Sequence, residues 1–462
     1  MKYLVFFLTL FVAVPIGSQL ARTNKSVEKL VHFLYIFLTT EEITINFVSR
    51  EFFKGTSRGF EVGIVDLLGL VLYSVILMRA SKYPPRIVPP GAPIYFILFT
   101  FCLISITNSA TGYIMHSFFE IWKMFRMYLY FWINYNYIIY YHNYDTIIYS
   151  IRAIIFYISY HVLRQKYVLG LWQAKGPFPH QNSLVMYMII LNSLILGYIL
   201  NKKKKIKLFW WVVAFSLGSL SIVSTFSRAG LVCFVLSCMV IIMLSFTGGV
   251  SPRKIGVTIL IMFIGLLGAL RAMDSIVKRF ETAPENSANT RKMLATAAIK
   301  MANDKTFGVG LNNFGVKINP PYNYSSHIEG VTEESIGGLV ETIYLSYAAE
   351  TGWHNMVIYF VLLFYFYFKN LNNFVKHRKS DYIWVPIGLA GGLMGIYLES
   401  ALEWVLKQSN NFYQLMLCFA LIGSMERMYK RKQATKKILW RNKMIEAKRM
   451  ERERGNITIP HY

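Results

Sequence analysis

Apolar stretches, most of them long enough to cross a bilayer, recur along most of this sequence. A chain that threads a membrane many times has few structural choices. The hydrocarbon core offers no water to backbone amides and carbonyls, so each crossing must satisfy its own hydrogen bonds, as a helix does. Apolar runs lie near residues 3–20, 28–40, 61–79, 93–109, 118–141, 146–164, 183–200, 208–226, 229–247, 255–271, 353–369, 382–399 and 410–425. The expected fold is therefore all-α, a polytopic membrane protein with about 12 or 13 transmembrane helices. Composition agrees, since only 16% of the 462 residues are charged and 55% are hydrophobic. A soluble domain carries about 25% charged residues. The first run resembles a signal segment, but no small-residue cleavage pattern follows it, so it reads as a first span.

The formal net charge of +25 would suggest a nucleic-acid partner in a soluble protein. In a membrane chain it reads instead as basic loops gathered on one side. "RASKYPPR" (79–86), "NKKKKIK" (201–207), "SPRK" (251–254), "KNLNNFVKHRKS" (369–380) and the tail from Arg427 all fall on one side if the spans alternate. That side is expected to be the cytoplasm, with the C-terminus inside and the protein in a bacterial inner membrane. Four regions follow: N-terminal transmembrane helices (1–271), a long periplasmic loop (272–352), C-terminal transmembrane helices (353–426) and a basic cytoplasmic tail (427–462). The tail suits the anionic inner surface of the membrane. Cys102, Cys233, Cys238 and Cys418 all sit in apolar runs and are expected to pack rather than to form disulfides or a metal site.

The outer loop carries the polar signals. "TRKMLATAAIKMAND" (290–304) has helical apolar spacing with one polar face, and "TFGVGLNNFG" (306–315) is a glycine-rich turn. That turn is not a P-loop, since no Gly-Lys-Ser/Thr follows; it is expected to help position Arg291. "VETIYLSYAAETG" (340–352) reads as a second helix ended by Gly352.

Five cations lie at or near the outer face: Arg228 at the end of "STFSR", Arg279 and Arg291 in the loop, and Lys123 and Arg126 near the end of the fifth run. Guanidinium forks match phosphate oxygens in pairs, so such a set suits a diphosphate. Each, taken singly, also fits a cation that snorkels to lipid headgroups. "GPFPHQN" (176–182) places His180, Gln181 and Asn182 before a span. These residues fit a helix cap or a sugar-binding edge equally well. Glu341 fits a favourable acid near a helix N-terminus, or a base for a sugar hydroxyl. Glu333, Glu334 and Glu350 are expected to be solvated. His327 and His354 are weaker candidates, and Glu399 and Glu403 are further acids at the end of a late span.

Taken in order, these stretches resemble the bacterial O-antigen ligase and O-antigen polymerase superfamily. "GFEVGIVDLLGL" (59–70), "GPFPHQN", "STFSRAG", "TRKMLATAAIKMANDKTFGVGLNNF" and "VETIYLSYAAETGW" carry the likeness, over roughly 60–420. The resemblance implies a glycosyltransferase of polysaccharide biosynthesis acting on undecaprenyl-diphosphate-linked glycans. It implies Arg228 and Arg291 on the diphosphate and Glu341 as base, these three being catalytic. Arg279, Arg126, Lys123, His180, Asn182 and Tyr344 would bind substrate. Ligases have His-Asn where this chain has Glu341-Thr342, which tilts the expectation from ligase towards polymerase. No cofactor and no metal are expected, because arginine supplies the positive charge and the outer face lacks an Asp-x-Asp signature. Expected partners are the lipid-linked glycan, membrane lipids and other polysaccharide-assembly proteins, with no nucleic acid. Two competitors are a flippase of lipid-linked sugars and a scaffold without catalysis. Transporters usually show matched halves with broken helices at the midplane, whereas polar signals here gather on one loop.

Overall fold

The computed structural model describes residues 2–49, 55–141, 144–202, 207–263, 285–322, 324–325 and 339–455. Helices dominate. In chain order they are α1 (Lys2–Leu8), α2 (Val14–Thr23), α3 (Lys25–Phe37), α4 (Ile64–Met78), α5 (Ala92–Ser105), α6 (Ile114–Tyr141), α7 (Tyr144–Leu163), α8 (Gln181–Asn201), α9 (Leu208–Val223) and α10 (Arg228–Phe246). After α11, helical over 252–263, come α12 (Glu285–Asp304), α13 (Phe314–Lys317), α14 (Ile343–Thr351), α15 (Trp353–Lys376), α16 (Trp384–Glu399) and α17 (Ser409–Gly455).

Among the described residues, four stretches are both long and apolar enough to cross a membrane: Tyr3–Thr23, Tyr144–Val168, Gln181–Asn201 and Arg228–Phe246. Four shorter apolar helices accompany them, Ile64–Met78, Ala92–Asn108, Leu208–Val223 and Trp384–Glu399. This is a multi-pass membrane protein. α6, at 28 residues, is longer than any of these but carries Glu120, Lys123 and Arg126 along its buried side.

α8 lies at the centre, with its whole apolar window buried inside the protein. A helix that is apolar all round belongs in such a place. It packs against α16, and α16 packs against α10. Small residues let these backbones approach. A Cβ on Gly388 would lie 2.8 Å from the Leu194 Cα, one on Gly197 would lie 2.8 Å from the Trp384 carbonyl oxygen, and one on Gly391 would lie 2.5 Å from the Ser237 carbonyl oxygen. Close approach at small residues is a common way to join membrane helices, where lipid gives no hydrophobic drive. The α8–α16–α10 unit is the rigid frame from which the polar end of the molecule is built.

Helix direction sorts the loops. α8 and α10 begin at one end of the bundle, and α16 finishes there. The basic loops meet at the other end. There Lys202 pairs with Asp145 (3.3 Å) and Asp381 (3.1 Å), and Arg253 donates to the Leu200 and Lys202 carbonyls. Arg79, after α4, reaches Glu28 (2.9 Å) and Tyr141 at the end of α6, and Arg431 donates to the Ile139 carbonyl. The loops grouped by their charge in sequence are thus grouped in space.

One local feature departs from the sequence reading. A two-stranded antiparallel sheet, β1 (Thr44–Ser49) with β2 (Gly59–Gly63), stands where a helical span was expected to begin near residue 61. Asp66 ends this hairpin by accepting from the Gly63 amide (2.6 Å), which starts α4 three residues late. The outer-loop helices appear as α12 and α14, and Gly352 ends α14 with φ +92°, a left-handed value suited to glycine.

Candidate functional site

A cavity of about 550 Å³ opens at the end where α8 and α10 begin. Its walls come from five parts of the chain: 173 and 179–182 before and into α8, 226–229 into α10, Arg291 on α12, Glu341 before α14, and 403–408 between α16 and α17. Both helix starts are capped. His180 Nδ1 accepts from the Asn182 amide (3.3 Å) and Ser227 Oγ from the Gly230 amide (3.4 Å). Two helix N-termini facing one cavity favour negative charge there. Arg228 is the first residue of α10 and lines the same space.

Arg291 is the electrostatic hub. Its Nε pairs with Glu341, and its second terminal nitrogen lies 3.2 Å from the Glu403 Oε1. Glu403 also accepts from Asn182 Nδ2 at 2.5 Å. Arg291 keeps 40% of its side chain exposed, so one edge of the guanidinium still meets the cavity. Burial raises the Glu341 carboxyl above its ordinary value despite Arg291. Glu403 is deeper, and burial together with the Glu341 charge pushes it up to about 7. Burial lowers His180, with Lys175 and Arg291 adding to the effect, which favours a neutral ring. Two carboxylates gathered around one cation thus compete for it, and burial makes each harder to ionise.

Buried contacts hold Glu341 in place. It precedes Thr342, the N-cap of α14, rather than opening the helix itself. The Ile343 amide and the Thr342 hydroxyl donate to the Ser400 carbonyl (3.2 and 3.4 Å), tying the start of α14 to the end of α16. Lys407 donates to Ser346 (2.7 Å) and to Glu350 (2.8 Å), with both charged side chains only 2% exposed. Glu350 is therefore not solvated, as its position in an outer loop suggested. It is the buried partner of Lys407, in the turn between α16 and α17. The glycine-rich turn contributes as well. Val309 and Gly310 donate to the Ala349 and Glu350 carbonyls, and Val309 and Phe314 pack with Leu294, Ala298 and Met301 of α12. The turn thus sets the position of the helix that carries Arg291.

Of the residues singled out in the sequence, Arg228, Arg291, Glu341, Glu403, His180, Gln181 and Asn182 line the cavity together. Lys123 and Arg126 do not reach it. They belong to a separate buried network in which Lys123 pairs with Glu120 (2.7 Å), while Arg126 pairs with Asp66 (2.7 Å) and donates to Tyr413 (2.9 Å). Tyr344 also points elsewhere, its hydroxyl donating to the Tyr397 carbonyl (2.7 Å). His354 sits beside Phe101 and Phe307. Glu399 is buried but is not part of the cavity wall. Arg279, His327, Glu333 and Glu334 lie outside the described residues. Gln173, Phe226, Trp404 and Gln408 line the cavity without having been singled out. Phe226 lies inside "STFSR" and Gln173 lies three residues before "GPFPHQN", which was the available signal.

The arrangement can hold an anionic oxygen cluster between Arg228 and Arg291 and can take a proton at Glu341. Residues 212–360 match a protein-family model described as O-antigen ligase. The matched segment contains Arg228, Arg291 and Glu341, whereas His180, Asn182 and Glu403 come from outside it. The match supports the O-antigen ligase and polymerase superfamily for this chain. No curated protein matches the chain.

Proposed function

We propose that this protein transfers a glycan from a polyprenyl-diphosphate carrier to an acceptor hydroxyl at the outer face of the bacterial inner membrane. The observation that carries the reading is one cavity holding Arg228, Arg291 and a carboxylate, Glu341, pinned to one of those arginines. The chain would cross the membrane about 12 or 13 times, with its basic end in the cytoplasm and the cavity on the opposite side.

In this reading the diphosphate sits against Arg228 and Arg291. Glu341 removes the proton from the acceptor hydroxyl, whose oxygen attacks the anomeric carbon as the bond from that carbon to the diphosphate oxygen breaks. The electron pair leaves with the diphosphate, where fixed cations stabilise the growing charge. Attack from the opposite face inverts the anomeric centre. The proton ends on Glu341 and is then released to water. Two guanidinium groups supply the positive charge, so no metal is assigned to the step.

The acceptor is proposed to be a second lipid-linked repeat unit, which makes the enzyme a polymerase. A ligase would use another lipid or a protein. A flippase needs no proton acceptor beside its phosphate-binding cations, and the Glu341–Arg291 pair therefore favours transfer over transport. Purified protein in vesicles, supplied with lipid-diphosphate repeat units alone, tests this. Chain growth supports the polymerase, and growth only after a different acceptor is added supports the ligase. Passage of intact substrate across the bilayer without bond cleavage refutes both.

A further inference from the structure

Beside the cavity stands an aromatic pair that no step of the proposed transfer uses. Trp172 and Phe226 stack with ring centroids 4.9 Å apart and planes 8° from parallel. Phe226 lines the cavity, as does Gln173, the residue after Trp172. Trp172 is 52% exposed. We propose that Trp172 and Phe226 form a carbohydrate-stacking subsite at the rim of the cavity, taking the apolar face of a pyranose ring of the glycan. This deepens the reading of the site as a glycan-transfer centre and rests on it.

The pair is built rather than incidental. Phe226 adopts φ +51°, a left-handed conformation that is uncommon for a bulky residue. Such a conformation is strained and persists only where the surroundings impose it. The imposing contacts are present. The Ala174 amide donates to the Ser224 carbonyl (3.1 Å), joining the Trp172 turn to the Phe226 turn. The Gln165 side chain closes the Trp172 loop, accepting from the Lys175 and Gly176 amides (2.9 and 2.8 Å) and donating to the Gly176 carbonyl (2.8 Å). The shelf is therefore set before any ligand arrives.

Its chemistry favours a sugar over an isoprenoid tail. An aromatic face is electron-rich and attracts the slightly positive C–H groups of a pyranose. Lys166 Nζ lies 4.4 Å from the Phe226 centroid and 5.2 Å from the Trp172 centroid, and it donates to the Trp172 carbonyl (2.9 Å). This ammonium lies over the rings, where it can meet hydroxyls but would be desolvated by a hydrocarbon chain. The cavity wall beyond Phe226 offers the amides of Gln173, Gln181 and Gln408, which suit hydroxyls equally well. A few placed polar groups around an apolar contact is the usual make-up of a small-ligand site.

The test uses purified full-length protein in lipid nanodiscs and two separate probes. One is the repeat-unit glycan freed from its carrier, and the other is polyprenyl diphosphate without glycan. Binding of each is measured by ligand-observed NMR titration for the wild type, Trp172→Ala, Trp172→Tyr and Phe226→Ala. The expected result is glycan binding weakened at least fivefold by Trp172→Ala and by Phe226→Ala and retained by Trp172→Tyr, with polyprenyl diphosphate binding unchanged in both Trp172 variants. Trp172→Tyr also guards against misfolding of the truncated variants, since it keeps a ring in the same loop. Glycan affinity unchanged in Trp172→Ala overturns the proposal. So does an equal loss for polyprenyl diphosphate, which would make the shelf a seat for the lipid tail. A wild type that binds polyprenyl diphosphate but no glycan overturns the subsite and leaves the diphosphate reading standing. A wild type that binds glycan through Trp172 but no polyprenyl diphosphate keeps the subsite and overturns the transfer reading.

Discussion

Replacing Glu403 with Gln should make the protein more stable at alkaline pH and leave it unchanged in acid. In the fold, burial and the Glu341 charge hold this carboxyl at about 7, against an ordinary 4.5. Ionising it is therefore harder in the folded protein than in the unfolded chain. Below pH 4.5 both states are protonated and the difference vanishes. It grows as pH rises towards 7, because the unfolded chain has then released its proton and the fold has not. Above 7 both are ionised and the full penalty stands. Each pKa unit is worth about 1.4 kcal/mol, so the wild type carries a penalty of about 3 kcal/mol at pH 8 that a glutamine lacks. Gln keeps the acceptor oxygen that Asn182 and Arg291 use. Thermal unfolding of both proteins in the same detergent, at pH 5 and at pH 8, reads the effect. Glu403→Gln should melt slightly above the wild type at pH 5 and clearly above it at pH 8. A difference that is the same at both pH values refutes the reasoning, as does a variant that is less stable at pH 8. The retention of such a costly carboxylate fits a site where stability yields to function.

Other outcomes follow from the same geometry. Arg228→Lys keeps a charge but loses the fork of donors, so transfer should fall by about 10²–10³ in kcat, measured as single-turnover consumption of donor. Lys407→Met strands Glu350 and should cost about 3–5 kcal/mol in stability, while Lys407→Met with Glu350→Gln should recover most of it, as read by thermal unfolding. Transfer should survive exhaustive chelation by EDTA within about twofold, because the anion-binding charge is assigned to arginine; loss of turnover restored by a divalent cation would refute that assignment.

The sequence made the membrane frame legible because it is written in local patterns: apolar length, and basic residues on alternate loops. Arg228, Arg291 and Glu341 stood out for a similar reason, each lying in a short polar motif beside an apolar run. What stayed hidden depends on partners far along the chain. Glu350 looked like a solvent-facing acid because Lys407, which buries it, lies 57 residues away. Asn182 and Glu403 are 221 residues apart, and nothing local announces their hydrogen bond. Lys123 and Arg126 were grouped with the cavity cations by their depth along a span. Depth alone does not fix direction around the helix axis, and Glu120 and Asp66 hold them elsewhere. The hairpin of β1 and β2 was missed because its second strand, "GFEVG", reads as the start of an apolar run. Only the pairing partner, Thr44–Ser49, makes it a strand.

The central claim is that Glu341 accepts the acceptor's proton while the neighbouring arginines hold the departing diphosphate. Single-turnover release of polyprenyl diphosphate from labelled donor, in vesicles holding the wild type or Glu341→Gln, tests it directly. The account predicts one diphosphate released per new glycosidic bond by the wild type. It also predicts a rate about 10²–10⁴ lower for the variant, with donor binding intact. Equal release by both proteins would contradict it and leave Glu341 as no more than the acid that positions Arg291.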